Sequence, residues 1–308
     1  MRRVIVTGVG GFVGAHVARQ AAIAGWSVFG IGHGGGFPSD LAGVLDGYAG
    51  VDLSEHWPTT APRDADVIHL AGLAAVGPSF SRPQDYIAGN SAMTTVVCEA
   101  ALRADDGRRI VAVSSGAVYA GTSDDLTHDE SSRVAFSSPY VVSKILVENQ
   151  IAFYRSRGLD AVVARPFNHF GPGQGPGFLV PDLLRRLTDL PAGEALVVGD
   201  LGTRRDYSDV RDVARAYLAL LASPRLASDR YNVASGIARS GREMLEAICS
   251  AVGREVPPLR VDVARLRPTD PGSIRGDASR LRAETGWRPT VTFERSILDT
   301  VVGYAVAR

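Results

Sequence analysis

The chain has 308 residues, is 45% hydrophobic and carries a formal net charge of 0. That length supports one large α/β domain with a smaller one beside it, and the balanced charge gives no footprint for a nucleic-acid partner. Two cysteines, Cys98 and Cys249, lie far apart in helix-like patterns, and six histidines are scattered without metal-ligand spacing; reduced core thiols, a cytoplasmic setting and no metal site are expected.

Met1-Arg2-Arg3 leads into a strand without an apolar leader, so no signal peptide is expected. No run has the length of a membrane-spanning helix. The β-branched run Arg3–Thr7 predicts a buried parallel strand. Gly8-Val9-Gly10-Gly11-Phe12-Val13-Gly14 follows, then a helical pattern over 12–24 with Gly25 as its stop. Further strands are predicted over 26–31, ending at 51–53, over 65–70, over 109–114 and over 159–165, with helices over 90–104 and 139–156. This alternation predicts a parallel sheet covered on both faces. Past Arg165 the texture changes. Segment 166–178, rich in Gly, Pro and aromatics, is expected to be a binding loop. Helices over 180–188, 209–222 and 240–252, short strands over 195–198, 206–208 and 230–233, and helices after Asp277 and Phe293 complete a mixed C-terminal third.

Three places carry chemistry. Gly8, Gly11 and Gly14 lie between a strand and a helix, where glycine lets the backbone approach a pyrophosphate. The spacing G-x-x-G-x-x-G is not the strict dinucleotide fingerprint, and a tight strand–helix turn is the alternative. The second strand ends Ile31-Gly32-His33-Gly34, with neither a carboxylate for a ribose 2′-OH nor an arginine for a 2′-phosphate. His33 and the room beside Gly32 favour NADP(H), with NAD(H) the alternative. Asp52-Leu53 and His69-Leu70-Ala71-Gly72 end the next two strands, and the small residues 71 and 72 let a cofactor cross the sheet edge; His69 is expected to be a core or cap histidine. Tyr140 and Lys144, four apart on a helix, share one face. A buried cation favours the phenolate and suits Tyr140 to proton transfer, and a serine of Ser114-Ser115 can hold the same oxygen. A solvated Tyr–Lys surface pair is the alternative.

Thr7-Gly8-x-x-Gly11-Phe12-x-Gly14, His69-Leu-Ala, Asn90, Ser114-Ser115 with Val118-Tyr119, Tyr140-x-x-x-Lys144, Arg165-Pro-Phe-Asn168 and Arg205-Asp-Tyr with Val210-x-Asp212 occur in that order. In this the chain resembles, over nearly its whole length, the extended short-chain dehydrogenases/reductases, the family of nucleotide-sugar epimerases, dehydratases and ketoreductases. Segments at 168–174, 210–213, 231–236, 266–268 and 286–289 most resemble the branch of GDP-mannose dehydratase and GDP-6-deoxy-4-keto-mannose reductase. The resemblance implies a Rossmann doubly wound parallel sheet with a smaller, discontinuous mixed α/β substrate lobe. Residues 1–166 and 206–236 would bind the dinucleotide, and 167–205 and 237–308 the nucleotide sugar.

The resemblance also implies roles. Tyr140 is the acid/base, Lys144 bonds the nicotinamide ribose and lowers the tyrosine pKa, and Ser115 is the catalytic serine. Gly8, Gly11, Phe12, Val13, Gly14, His33, Asp52, Leu53, Leu70, Ala71, Gly72, Asn90, Ser114 and Pro166, with Tyr140 and Lys144, face the cofactor. Ser115, Asn168, Gln174, Phe178, Arg205, Arg267 and Asp270 face the substrate. For Arg205-Asp206 the alternative is a surface ion pair, and for Arg267 a solvated loop charge. Dehydratases of this family carry an acid two positions after the catalytic Ser/Thr and fucose-forming epimerase-reductases a cysteine; here that position is Ala117. A methyl cannot move a proton. Ala74, where dehydratases tend to carry Ser, agrees. The expected activity is therefore a 4-ketoreductase on an NDP-4-keto-6-deoxyhexose, GDP-linked and giving GDP-rhamnose or a relative. A 4-epimerase with bound NAD and a non-catalytic dinucleotide-binding regulator are the alternatives. A homodimer through the helices near 90–104 and 139–156 is expected, with no nucleic acid and no membrane.

Overall fold

The structure is a computed structural model describing residues 1–34, 36–121, 126–191, 193–262 and 272–306. In chain order the first elements are β1 (Arg3–Thr7), α1 (Phe12–Ile23), β2 (Ser27–Gly32), β3 (Gly47–Gly50), β4 (Asp66–His69), α2 (Val76–Ser79), α3 (Pro83–Ala104) and β5 (Ile110–Val113). There follow β6 (Thr127–His128), α4 (Pro139–Ser156), β7 (Ala161–Pro166), β8 (Asn168–Phe170), α5 (Leu179–Asp189), β9 (Leu196–Val198), β10 (Arg204–Asp209) and α6 (Val210–Ala222). The last are β11 (Arg230–Val233), β12 (Ala238–Ser240), α7 (Gly241–Ala251), β13 (Leu259–Val261), β14 (Ser273–Gly276), α8 (Ser279–Thr285) and α9 (Phe293–Val306).

Seven strands form one parallel sheet in the order β11-β7-β5-β4-β1-β2-β3. Strand periodicity builds its two faces. Val4 and Val6 enter one core cluster with Val17, Val111 and Leu220, while Ile5 enters the other with Val67, Cys98, Ile110 and Ile151. α1 and α6 pack together, as do α3 and α4, so both faces are covered, as in a Rossmann sheet. The chain leaves β1 toward β2 on one side and returns to β4 on the other. The carboxyl ends of β1 and β4 therefore flank the topological switch point, where ligands of such sheets bind.

The smaller part sets β12-β10-β14-β6, with β8 on β10, and the pair β13-β9 beside a core built from α5, α7 and α9. β10 runs into α6, capped by Asp209, whose side chain accepts from Arg211 N at 2.7 Å. Asp212 on α6 accepts from the Thr290 and Val291 amides at 2.9 and 3.1 Å, tying the C-terminal segment to the large body.

Several predicted boundaries move. The third strand is 47–50, ahead of the predicted 51–53. Its sequence, Gly-Tyr-Ala-Gly, lacks β-branched residues, and Gly47 is imposed from outside: a Cβ there would lie 2.7 Å from the Phe29 ring. The helix expected from residue 90 begins at Pro83, which suits a first helical position because its missing N–H costs nothing there. The 166–178 loop contains β8, an edge strand paired with β10 from Tyr207↔Asn168. The short β6, β12, β13 and β14 carry too few residues for a periodicity to show.

Candidate active site

The switch point is fastened by a chain of hydroxyls. Thr7 Oγ accepts from the Leu70 and Ala71 amides at 3.1 and 3.0 Å, so its own proton goes to His69 Nδ1 at 2.9 Å. His69 then carries its proton on Nε2, toward Thr94 Oγ at 3.3 Å, and Thr94 donates to the Asn90 carbonyl at 2.9 Å. Burial, helped by the Lys144 charge, pushes His69 down to about 3. It is a neutral clamp, as expected of a core histidine.

Asn90 holds the next turn. It accepts from Leu73 N at 2.8 Å and donates to Leu73 O at 3.2 Å and Ser143 Oγ at 2.9 Å, joining α3 to α4. Gly72 follows from this: a Cβ would lie 2.9 Å from Asn90 Oδ1 and 3.8 Å from Lys144 Nζ.

The glycine loop is packed to the limit. Gly8 adopts φ +68° with room for no Cβ beside Ala71 N at 3.0 Å, and a Cβ on Gly14 would meet Gly8 O at 2.2 Å. α1 starts at Phe12, and Gly11 before it provides no side-chain cap; its first turn holds no acid. The amides of Phe12, Val13 and Gly14 thus have no acceptor within the helix. A side-chain-free loop at an uncapped helix N-terminus fits a dinucleotide pyrophosphate. At the adenosine end His33 is exposed and Leu53 buried. The Asp52 carboxyl is held below its usual range chiefly by the Ser54 hydroxyl and amide, at 2.6 and 2.9 Å, with His33 contributing. The space expected beside Gly32 is taken: a Cβ there would lie 2.6 Å from the Tyr48 hydroxyl.

β5 and α4 bring the catalytic candidates together. Pro139 opens α4 and Ser138 caps it, accepting from Val141 N at 3.2 Å, which puts Tyr140 in the first turn beside the end of β5. Ser115 caps the 3₁₀ turn 116–118, its Oγ accepting from Ala117 N at 3.1 Å, and it acts on the Tyr140 phenol, opposing the rise that burial imposes. Tyr140 is 6% exposed, with Tyr86 edge-on at 6.4 Å. Lys144 Nζ donates to Val113 O at 2.9 Å and stands 6.0 Å from the Tyr140 ring centroid. Burial pushes Tyr140 up, with Ser115 opposing it, and the expected lysine-driven fall does not appear. The phenol is held as an acid. Burial lowers Lys144 to about 8, with Glu148 resisting. Leu73, Val76, Ala117 and Val134 are partly buried against the apolar cluster that includes Tyr86, Tyr119 and Tyr140.

Behind the site runs a polar chain that motif reading did not assign. Ser114 donates to Glu148 Oε1 at 2.6 Å, and Arg165 grips the same carboxylate through Nε at 2.8 Å and Nη2 at 2.5 Å. Arg165 Nη1 donates to the Tyr119 hydroxyl at 2.9 Å, which donates to Asn232 Oδ1 at 2.6 Å. Asn232 reaches the His128 and Asp277 carbonyls at 2.9 and 3.1 Å. Ser114, Tyr119 and Arg165 stood in the motifs without this connection, and Glu148, one further turn along the Tyr140–Lys144 face, was the residue missed.

On the substrate side, Asn168 is exposed on β8 beside β10, which carries Arg205. Gln174 donates to His169 O at 3.1 Å, and its buried Oε1 has no partner among the described residues. Phe178, 44% exposed, precedes α5, and Pro166 is the buried end of β7. Asp206 makes no surface pair with Arg205. It is 1% exposed and accepts from Ser235 N and Oγ and from the Gly236 and Gly276 amides at 2.6–3.2 Å. Arg267 and Asp270 lie outside the described residues. No group of three or more His, Cys, Asp or Glu among the described residues is placed to hold a metal.

Residues 4–234 match the model of the NAD dependent epimerase/dehydratase family. GDP-6-deoxy-D-mannose reductase of Pseudomonas aeruginosa is 32% identical over 303 residues, covering 96% of this chain and 95% of the relative. The solved structure of RMD from Pseudomonas aeruginosa complexed with NADPH is similar with a TM-score of 0.83 at 29% identity, covering 100% of both chains. Thermus thermophilus UDP-glucose 4-epimerase in complex with NAD gives a TM-score of 0.84 at 29% identity, covering 99% of this chain and 100% of that one. With the glycine cradle and the Ser115–Tyr140–Lys144 group in place, the chain belongs to the NAD dependent epimerase/dehydratase family and is an NAD(P)-dependent nucleotide-sugar enzyme.

Proposed function

We propose that the chain is an NAD(P)H-dependent 4-ketoreductase acting on an NDP-4-keto-6-deoxyhexose, with GDP-4-keto-6-deoxy-D-mannose giving GDP-D-rhamnose or a close relative. The observation that carries this reading is the Ser115–Tyr140–Lys144 group with Ala117 two positions after Ser115, a methyl that cannot move a proton at a second carbon. The 32% identity to GDP-6-deoxy-D-mannose reductase supports it.

The glycine loop, the amides of Phe12 and Val13, and Lys144 would hold the dinucleotide, which when bound supplies a hydride for carbon four. Ser115 directs its hydroxyl to the carbonyl oxygen, and Tyr140, kept protonated by burial, gives its proton to that oxygen. Lys144 holds a positive charge one turn below the phenol. Asn168 and Arg205 hold the diphosphate, for which a guanidinium fork is suited. NADP(H) is favoured, although Tyr48 narrows the space beside Gly32 on which that preference partly rested.

A 4-epimerase is the second reading, favoured by the likeness to the Thermus thermophilus enzyme. Incubation with GDP-4-keto-6-deoxymannose and NADPH separates the two. No loss of nicotinamide absorbance overturns the reductase, and NAD retained through purification points to the epimerase. The enzyme acts as a homodimer through α3 and α4 in this reading. Phe153 on α4 is 56% exposed beneath the Arg157 guanidinium, an apolar surface suited to such a contact. A monomer by light scattering contradicts it. No helix among the described residues is long and apolar enough to cross a membrane.

A further inference from the structure

The small sheet sets two arginines side by side. β10 and β12 pair antiparallel with Arg205 directly opposite Arg239, so both side chains leave the same face. Like charges in that position repel. On the neighbouring strand Ile274 is in register with Arg205, and it packs against the core of the large body. Tyr207, two residues past Arg205 on the same face, packs with the core of the smaller part, so that face lies where the two cores meet.

Arg239 is held in place. It is half-buried, with its guanidinium carbon 3.9 Å from the Phe293 ring centroid. Phe293 stands edge-on to Phe170 at 6.1 Å, and Phe170 to Tyr207 at 6.2 Å. The platform is continuous with β8, which begins at Asn168. Stacking fixes the guanidinium plane and leaves its in-plane N–H donors open. Among the described residues no carboxylate or hydrogen-bond acceptor engages Arg239. A rigid, half-buried cation without an acceptor among the described residues, beside a second cation, is an arrangement that a bound anion completes.

We infer that Arg239 is a second arginine of the substrate's diphosphate site, gripping with Arg205 the pyrophosphate of the nucleotide sugar. The inference rests on the role proposed above for Arg205. It makes Arg239 a positioning residue that acts on affinity for the nucleoside diphosphate and leaves the cofactor site alone.

Calorimetric titration of the full chain with GDP, UDP and dTDP, at low and high salt, tests it. Arg239→Gln is expected to weaken the tightest of these about tenfold, the scale of one charge-assisted hydrogen bond. Its binding should also depend less on salt, with NADPH affinity and thermal midpoint unchanged. Phe293→Leu, which keeps the cation and removes its platform, is expected to give a smaller loss in the same direction, and it decides the matter if Arg239→Gln does not fold. Diphosphate binding by Arg239→Gln with wild-type affinity and salt dependence overturns the inference alone. A parallel loss of NADPH binding assigns Arg239 to folding and overturns it too. Wild-type protein that binds none of the three diphosphates overturns the nucleotide-sugar reading itself.

Discussion

Glu148→Gln probes the polar chain behind the site. Glu148 and Arg165 form a buried pair, with side chains 9% and 2% exposed. The carboxylate takes two bonds from Arg165, at 2.8 and 2.5 Å, and one from Ser114 at 2.6 Å. Glutamine keeps the shape but offers one acceptor oxygen to three donors and turns its own NH₂ on one of them. Breaking a buried pair from one side costs about 3–5 kcal/mol. At roughly 1.5 °C per kcal/mol for a chain of 308 residues, the thermal midpoint should fall by at least about 4 °C. A second effect is electrostatic. Glu148 resists the fall that burial imposes on Lys144, so its loss takes Lys144 below about 8. Lys144 loses its charge as pH rises through its folded pKa, so the alkaline limb of kcat/KM must move to lower pH. The double variant Glu148→Leu/Arg165→Met removes the orphaned guanidinium. It should recover most of the stability while the limb stays low. An alkaline limb that stays put or moves upward in Glu148→Gln refutes the coupling of Glu148 to Lys144.

Further outcomes follow from the same geometry. Tyr140→Phe should lower kcat by about 10²–10⁴-fold, the usual contribution of a general acid, with NADPH affinity retained; an unchanged kcat sinks the acid role. Gly14→Ala drives a methyl onto Gly8 O at 2.2 Å, whereas Gly10→Ala meets nothing within 4 Å. The first should cost roughly 1–3 kcal/mol or more and weaken NADPH titration, while the second leaves the melting curve in place. His69 titrates near 6.5 unfolded and about 3 folded, so below 6.5 the unfolded state binds the extra proton and stability falls with pH. The fall is about 1.4 kcal/mol per pH unit until roughly pH 3. Denaturant melts across that range should show the slope, and His69→Gln should reduce it by one proton.

Local spacing made much of the fold and part of the site readable. β1, β11 and α4 have the expected bounds, because a β-branched run, or a Ser-Pro start before an apolar period, needs no distant partner to specify it. Tyr140 and Lys144 share a helix face for the same reason. Gly8 and Gly14 were legible as glycines of a strand–helix turn, although only the packing showed how closely Ala71 N and Gly8 O approach them. β3 was misplaced because its Gly47 answers to Phe29 on β2, outside the segment.

The sequence by itself determined which residues share a face and which side chains they carry: a serine, a tyrosine and a lysine of types suited to proton transfer, and at position 117 a methyl that cannot take part. Tertiary structure decided the charge state and partner of each. Glu148, four residues past Lys144, has the spacing of a solvated helix face, and only β7 brings Arg165 alongside to make it a buried pair. Asp206 looked like the partner of Arg205, and strand alternation turned it inward to Ser235 and Gly276. The register of β10 on β12 set Arg205 opposite Arg239. Spacing along the chain fixes direction over a turn or two, whereas the energy of a charge depends on what is packed around it, and that is supplied from far along the chain.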